Sequence, residues 1–306
     1  MISRLWKNSL FALALIAMAP MAVAAREAQT RFGSPEAGVT ALAEAVKSND
    51  QPALRAILGP HGSKLVSSGD AVADERNREA FTKAYGEASK LVAEGDQRAT
   101  LVIGKDEWPL PIPLVKSGDG WRFDTRRGEK EILARRIGRN ELSVIQVCLA
   151  IVDAEREYAA QDAEGDGIRE YAHRFVSTVG KHDGLYWPTK ADERPSPLGP
   201  LLAAAANEGY TSADFGPLAP YHGYFYKILT RQGKDAPGGA YDYVSKGERI
   251  GGFALIAYPA RYGASGIMSF MVNHDGIVYQ KNLGKNTVAI ASRMTTFNPD
   301  ASWKRQ

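Results

Sequence analysis

Residues 251–279 read GGFALIAYPARYGASGIMSFMVNHDGIVY, and this stretch decides the fold that we predict for the second half of the chain. Two apolar runs, residues 250–258 and 267–272, have the length and the β-branched and aromatic content of strands. Residues 273–276 (NHDG) are typical of a tight turn into a further strand. The run at residues 224–229 adds a strand before them. The stretch therefore predicts an antiparallel meander.

A long amphipathic helix is predicted before these strands. Asn140 is a suitable N-cap, apolar residues follow at helical spacing, and the helix is expected to end near Gln161. The apolar stripe consists of Leu142, Ile145, Leu149, Val152 and Tyr158. A long helix followed by an antiparallel meander predicts an α+β layer in which the helix packs on the sheet.

The first half of the chain has the pattern of helices followed by a curved antiparallel sheet. Residues 34–36 (SPE) combine an N-cap serine, a proline at the first helical position and an acid in the first turn, so a helix begins there. Two more helices are predicted, one capped at residues 49–50 and one starting near residue 74. The alternation of strands appears after Gly95. Three segments show it: residues 98–103, 108–115 and 121–124.

The length of the chain and one basic stretch predict two α+β domains. The chain has 306 residues, and an average domain has about 100–200. Residues 125–139 are rich in arginine but also hold apolar residues three to five apart, which predicts a short packed helix at the junction. We therefore expect a cone-like domain at residues 34–127. A second domain, with its long helix packed on a sheet, is expected at residues 128–306.

Residues 1–24 have the features of a secretory signal peptide. Arg4 and Lys7 give a basic start, residues 10–19 are apolar, and residues 22–24 (AVA) offer a small-x-small cleavage pattern. The apolar stretch is too short for a membrane-spanning helix, which needs about 20 residues. We expect cleavage at this pattern, a periplasmic or secreted location, and no stable membrane insertion of the mature chain.

Charge and cysteine content narrow the classes of partner. The chain has 38 Lys and Arg against 35 Asp and Glu, and loss of Arg4 and Lys7 with the signal peptide lowers the net charge from +3 to +1. A nearly neutral chain lacks the basic surface that nucleic acid requires, so no nucleic-acid partner is expected. The single cysteine, Cys148, lies among aliphatic residues of the long helix, which predicts a buried, unreactive thiol.

Each half of the chain resembles a known architecture. The helices that lead to the hairpin LVKSGDGWRFD at residues 114–124 resemble a nuclear-transport-factor-2-like cone, in which a helix packs into a bent sheet. The helix and acidic segment at residues 150–172, with the strands that follow, are similar to the soluble head of a type IV pilin-like protein. Pilins polymerise through a very hydrophobic N-terminal helix. The helix here is only amphipathic, so filament assembly is not expected.

The whole mature chain is similar to an uncharacterised family of secreted bacterial proteins, domain of unknown function 2950. The matching segments include AILGPHGSKLVSSGD (56–70), RRIGRNELSVIQVCLAIVDAEREYA (135–159), HDGLYWP (182–188), PYHGYFYKIL (220–229) and VNHDGIVYQKNLG (272–284). The resemblance implies a protein of the Gram-negative envelope. It implies no reaction.

An acidic segment follows the predicted long helix and is a candidate metal site. Its carboxylates are Asp162, Glu164, Asp166 and Glu170. Hard cations prefer several oxygen ligands, and the glycine after Asp166 lets a loop fold back around an ion. The order follows the first half of an EF-hand loop, but position twelve is His173 instead of glutamate. The segment predicts either a calcium site or a solvated acidic turn.

Aromatic and histidine residues in loops of the second half are candidate ligand-binding residues. They are Tyr186, Trp187, Tyr221, His222 and His274. Tyrosine and tryptophan are frequent at binding interfaces, and the alternative is that these rings fill the core beneath long loops. The two histidines flank strands of the terminal sheet. They form either a shared polar patch at one end of that sheet or two separate turns.

The motifs of common catalytic sites are missing from the sequence. It has no Gly-x-Ser-x-Gly, no P-loop and no H-E-x-x-H. We therefore expect a periplasmic, non-enzymatic protein that binds an envelope protein or polysaccharide, with calcium as the one candidate cofactor. The alternative is a metal-dependent or hydrolytic enzyme acting on cell-wall material, which would use His222, His274 and nearby acids.

Overall fold

The computed structural model describes residues 29–190, 192–215 and 219–306. The predicted signal peptide, residues 1–24, lies outside the described residues. Within the described residues, no helix combines the length and the apolar character that crossing a bilayer would require.

The structure contains the predicted strands of both halves together with further short helices and strands. The helices are α1 (Pro35–Lys47), α2 (Gln51–Leu58), α3 (Ser63–Val66), α4 (Ala71–Glu87), α5 (Thr125–Ala159), α6 (Gly199–Asn207) and α7 (Thr287–Ala291). The strands of the first half are β1 (Ser89–Ala93), β2 (Arg98–Ile103), β3 (Trp108–Pro109), β4 (Leu114–Ser117) and β5 (Gly120–Phe123). Those of the second half are β6 (Arg174–Val176), β7 (Gly184–Tyr186), β8 (Tyr224–Leu229), β9 (Arg231–Gln232), β10 (Tyr241–Asp242), β11 (Ala254–Pro259), β12 (Ser269–Asn273), β13 (Tyr279–Lys281), β14 (Thr296–Phe297) and β15 (Lys304–Arg305). Helices combined with mainly antiparallel sheets confirm the α+β class.

The first half packs helices on a small antiparallel sheet. The strand order is β1-β2-β4-β5, with β3 paired to β2. The first helix begins where the sequence predicts, because the Ser34 hydroxyl accepts the N–H of Ala37 at 3.2 Å and Pro35 occupies the first turn. A core of buried residues joins the two layers, with Leu42 from α1, Leu54 from α2, and Leu101 and Leu114 from the sheet among its members.

The second half is built on an antiparallel sheet that is covered on both faces. Its strand order is β15-β13-β12-β11-β8, and every residue of β11 is buried. Leu255 and Ala257 belong to the core that includes α5, whereas Ala254 and Ile256 belong to a core on the opposite face with Phe297. Side chains of a strand alternate between faces. Alternate residues of the continuous apolar run near residue 255 therefore pack in two different cores.

One helix replaces the two that the sequence suggested between residues 125 and 161. The predicted N-cap, Asn140, lies in the middle of α5, and its amide donates to the carbonyl of Ser265 at 2.9 Å. The Glu141 carboxylate accepts the N–H groups of Ile267 and Met268, both at 2.9 Å. Asn140, the predicted helix start, and its neighbour Glu141 therefore fix a loop of the terminal sheet.

The predicted domain boundary, between residues 127 and 128, lies inside α5. The first turns of this helix contact the core of the first half through Ile132, and its later turns contribute Val144 and Ile151 to the core of the second half. Both halves therefore share one continuous element. Whether residues 34–127 and 128–306 fold independently stays a prediction.

The two glycines of α5 should respond oppositely to substitution by alanine. A Cβ on Gly128 would lie 2.7 Å from Cγ1 of Ile112 and even closer to the carbonyl oxygen of Pro111, so G128A should lower the free energy of unfolding by about 1–3 kcal/mol. Gly138 has open space around it, so G138A should raise that free energy by up to about 1 kcal/mol. Urea denaturation of both variants measures the two effects. Equal shifts in the free energy of unfolding would contradict the close approach of α5 to the segment between β3 and β4.

Candidate functional site

A cavity of about 670 Å³ opens beneath helix α4 and is a candidate binding site. We call it the α4 cavity. Its floor is apolar and comes from α1, α2, β2 and the segment between β3 and β4, with Leu42, Leu54, Leu58, Ile103, Leu110 and Ile112 among the lining residues. Concave, mainly apolar pockets of this size are the usual form of small-molecule sites.

Helix α4 closes the cavity loosely. The Asp70 carboxylate caps the helix by accepting the N–H of Ala73 at 3.0 Å, but none of the 17 residues of α4 is buried. Its apolar contacts to the first core come from half-buried residues, Phe81, Ala84 and Tyr85. A helix with so narrow an apolar strip seals little of the space beneath it, and the cavity stays open to solvent.

The opposite wall of the cavity is a basic face of α5. Ile132, Arg135, Arg136 and Arg139 all line it, and their spacing of three, four and seven residues places them on one side of the helix. The sequence predicts a short packed helix at this junction, but it does not predict that these arginines form a cavity wall. The helical spacing was visible in the sequence, but the cavity that it faces was not.

Arg136 has a structural partner in this wall. Its Nη1 donates to the carbonyl of Lys64 at 2.7 Å and its Nη2 to that of Leu65 at 3.0 Å, so it binds the end of α3. Burial lowers the pKa of Arg136, and the Asp74 carboxylate opposes that shift. Arg135 pairs with Glu131 at 2.6 Å on the exposed helix surface. Arg139 has no acidic partner within the described part of the chain.

Asp70 connects the α4 cavity to the second half of the molecule. Its buried carboxylate accepts the hydroxyl of Tyr210 at 2.9 Å and the N–H of Gly223 at 2.7 Å. Burial raises the pKa of Asp70 above its usual range, against the effect of these donors. A salt bridge of 2.5 Å between Arg76 and Glu208 adds a second link from α4. The helix over the cavity is thus anchored at its N-terminal end by the second half.

The structure does not bring His222 and His274 together. Tyr224 pairs with Pro259 at the end of β11, and Asn273 pairs with Ala254 at its start. The histidines therefore lie at opposite ends of the sheet, about 17 Å apart along β11 at 3.3 Å per residue.

The environments of the two histidines also differ. His222 has φ of +51° and lies 3.8 Å from Glu208, and burial lowers its pKa. The Nδ1 atom of His274 is buried without a hydrogen-bond partner.

The aromatic candidates lie mainly in or against the core. Tyr221 is only 2% exposed and contacts Tyr210 and Phe215 edge-on or tilted. Trp187 is half-buried and stacks on His182 with ring centroids 4.3 Å apart, and half-buried Tyr186 packs on the same core. The ring of Tyr221 is therefore not available at the surface.

The acidic segment folds through its own backbone. The Asp162 carboxylate accepts the N–H groups of residues 165, 166 and 167 at 2.7–3.1 Å, and these bonds lower its pKa. Glu164, Asp166 and Asp162 are exposed, whereas Glu170 is buried. Asp162, Glu164 and Asp166 do not belong to a group of three closely spaced metal ligands among the described residues, and calcium binding by this segment stays a prediction.

Glu170 belongs instead to a different group with His173 and Glu248. Among the described residues, this is the one group of three possible metal ligands, with ligand atoms within 4.8 Å of one another. Oε2 of Glu170 lies 2.9 Å from Nε2 of His173 and accepts the N–H of Arg249 at 2.6 Å. The Glu170 carboxylate raises the pKa of Glu248. Two carboxylates and an imidazole suit zinc better than calcium.

A buried carboxyl lies behind this group. Glu155 is 1% exposed and accepts the N–H of Ala172 at 2.9 Å, and burial raises its pKa to about 8. Arg249 is also buried and donates to the carbonyl of Leu229 at 2.9 Å, and its charge moderates the shift of Glu155. Glu155 is therefore neutral in the folded protein over much of the range in which it ionises in the unfolded chain.

This pKa difference predicts a pH dependence of stability. A folded-state pKa raised from 4.5 to about 8 means that the folded protein holds a proton that the unfolded chain loses. The free energy of unfolding should then fall as the pH rises between these values, at up to about 1.4 kcal/mol per pH unit. E155Q is neutral at every pH and keeps the carbonyl acceptor. We expect its unfolding free energy, measured with urea from pH 5 to 8, to decline less than that of wild type.

The matched control is E157Q, because Glu157 lies on the same helix with its carboxylate on the surface, 2.7 Å from Arg194. The free energy of unfolding of E157Q should change with pH as that of wild type does. If E155Q and E157Q both keep the wild-type slope, Glu155 is not protonated in the folded protein.

Comparison with known sequences places the chain in a family. A family model described as "Protein of unknown function (DUF2950)" matches residues 29–306. No curated protein and no solved structure gives a significant match. The likeness to a nuclear-transport-factor-2-like cone and to a pilin head therefore stays a prediction. The family match spans every residue that the structure describes, and the chain belongs to the DUF2950 family.

Proposed function

We propose that this protein is a non-enzymatic binding protein that holds an apolar small molecule in the α4 cavity. The observation that carries the proposal is the cavity itself, about 670 Å³ with an apolar floor and an opening to solvent. Removing apolar surface from water contributes about 25 cal/mol per Å². An apolar ligand that covers the floor would therefore gain binding energy without a new polar contact.

The arrangement of reactive side chains favours binding over catalysis. Ser265 is fully buried, and its hydroxyl accepts the N–H of Arg261 at 2.9 Å. Cys148 is buried in α5, and burial raises the pKa of its thiol to about 12, which disfavours the nucleophilic thiolate. His222 and His274 lie at opposite ends of a sheet. These groups lack the mutual geometry that an active site requires.

The proposed location is the periplasm or the exterior of the cell, on the sequence of residues 1–24. A polysaccharide would need convergent polar groups and exposed rings, and the α4 cavity favours an apolar ligand over such a chain. A protein of the envelope that delivers or receives the ligand is the partner consistent with this proposal.

Filling the cavity should abolish binding. Ile132 is half-buried and faces the cavity, so the larger ring of I132W should occupy the space that a ligand needs. Nile red, a neutral apolar dye, should gain fluorescence with wild-type protein and lose most of that gain with I132W. Titration of the dye against each protein measures the affinity.

A matched variant guards against a general effect of tryptophan on α5. Ala134 lies two residues away, is exposed and does not line the cavity, so A134W should bind Nile red as wild type does. Circular dichroism should show that both variants fold. Equal binding by folded I132W and A134W would mean that the dye does not occupy the α4 cavity.

A metal-dependent activity is the second candidate, favoured by the group of Glu170, His173 and Glu248. Three protein ligands leave an open position for water on a zinc ion, as catalytic zinc requires. The decisive measurement is metal content after incubation with zinc and dialysis. One zinc ion per chain in wild type and none in H173A would favour this candidate, and no zinc in wild type would remove it.

A further inference from the structure

We infer that the ligand of the α4 cavity is a single-chain amphiphile with an anionic head, which Arg135 and Arg139 bind at the rim. This inference rests on the proposed function, since it names the ligand class of the same cavity. An apolar floor and a cationic wall in one cavity match a molecule that has an apolar tail and an anionic group. A volume near 670 Å³ is in the range for one small ligand, which favours one chain over two.

The charges that line the cavity are unbalanced. Five cationic residues contribute to its lining: Arg78, Lys105, Arg135, Arg136 and Arg139. Three acidic residues do so: Asp74, Glu87 and Asp106. The Asp74 carboxylate is already engaged, since both of its oxygens lie within 3.1 Å of the N–H of Ser68. An anionic head therefore meets a positive wall next to apolar surface, where attraction is screened less than in water.

Two of the arginines on α5 are available for a ligand, and the third is not. Both terminal nitrogens of Arg136 donate to the carbonyls at the end of α3, so this residue positions the wall. Arg139 has no acidic partner among the described residues. Arg135 has only an exposed pair with Glu131, and exposed pairs contribute little stability and exchange easily.

The geometry of arginine sets the chemistry of the head. A guanidinium presents parallel N–H donors that match the two oxygens of a carboxylate or a phosphate. Arg135 and Arg139 are four residues apart, so their side chains are neighbours on the helix surface and can bind one head together. A neutral head forms weaker hydrogen bonds with these donors and so gains less binding free energy, and a cationic head is repelled by the guanidinium charge.

Competition with Nile red tests the sign of the head. Four ligands share one C12 chain and differ only in the head: dodecanoate, dodecyl phosphate, dodecanol and dodecyltrimethylammonium. Each is titrated below its micelle concentration into wild-type protein loaded with the dye. We expect one or both anions to displace the dye at concentrations at least about tenfold lower than the alcohol, because hydrogen bonds between charged groups are the strong ones. The cation should displace it least.

Substitutions at the rim assign the effect to the two arginines. The double variant R135Q/R139Q should bind Nile red as wild type does, because the dye is neutral, but should bind the preferred anion about tenfold more weakly. Arg126 is exposed on the same helix and does not line the cavity, so R126Q is the control and should keep wild-type affinity. Raising the salt concentration should reduce the difference in affinity between the anion and the alcohol for wild-type protein, and it should leave the affinity for Nile red unchanged.

The outcomes separate the two proposals. If Nile red does not bind wild-type protein, the proposed function fails. If the dye binds but the alcohol displaces it as well as both anions do, the cavity is an apolar site and the anionic head is wrong. If the anions are preferred but R135Q/R139Q weakens them no more than R126Q, these two arginines do not bind the head.

Discussion

Helix α5 is the element on which both halves of this protein depend. It is 35 residues long, and its first turns complete the core of the first half while its later turns cover the terminal sheet. Its N-terminal part closely approaches the segment between β3 and β4 at Gly128, where a side chain would meet Pro111 and Ile112. Its middle binds the loop near Ser265 through Asn140 and Glu141. Each half therefore packs against one end of the same continuous helix.

A second set of links joins the halves through polar groups of the first. Arg136 binds the carbonyls of Lys64 and Leu65, and Arg261 donates to that of Ser67 at 2.7 Å. Asp70 then binds Tyr210 and Gly223 from the second half. Buried polar groups cost free energy unless they have partners, so these bonds specify one arrangement of the segment that leads into α4. The position of α4 over its cavity is consequently set by both halves.

The α4 cavity follows from these constraints. Residues of α1, α2, β2 and the segment between β3 and β4 supply the apolar floor. The basic face of α5 supplies one wall, and α4 covers the space although none of its own residues is buried. If the second half did not contact the first, Asp70 would lose its hydrogen bonds to Tyr210 and Gly223, and these bonds hold the N-terminal end of α4. The proposed binding site is therefore a property of the whole chain rather than of its first half alone.

The sequence by itself determined the local elements and the class of the fold. Ser34 and Pro35 predicted the start of α1, the NHDG turn predicted the end of β12, and periodicity separated helices from strands, because caps, turns and side-chain alternation are local effects. It also identified Cys148 as buried. Tertiary structure decided what distant residues do. Asn140 has the chemistry of an N-cap, yet it binds Ser265 within a continuous helix, since packing on two cores outweighs a local signal. The arginines of α5 become a cavity wall only because α4 lies opposite them, and strand register alone separates His222 from His274.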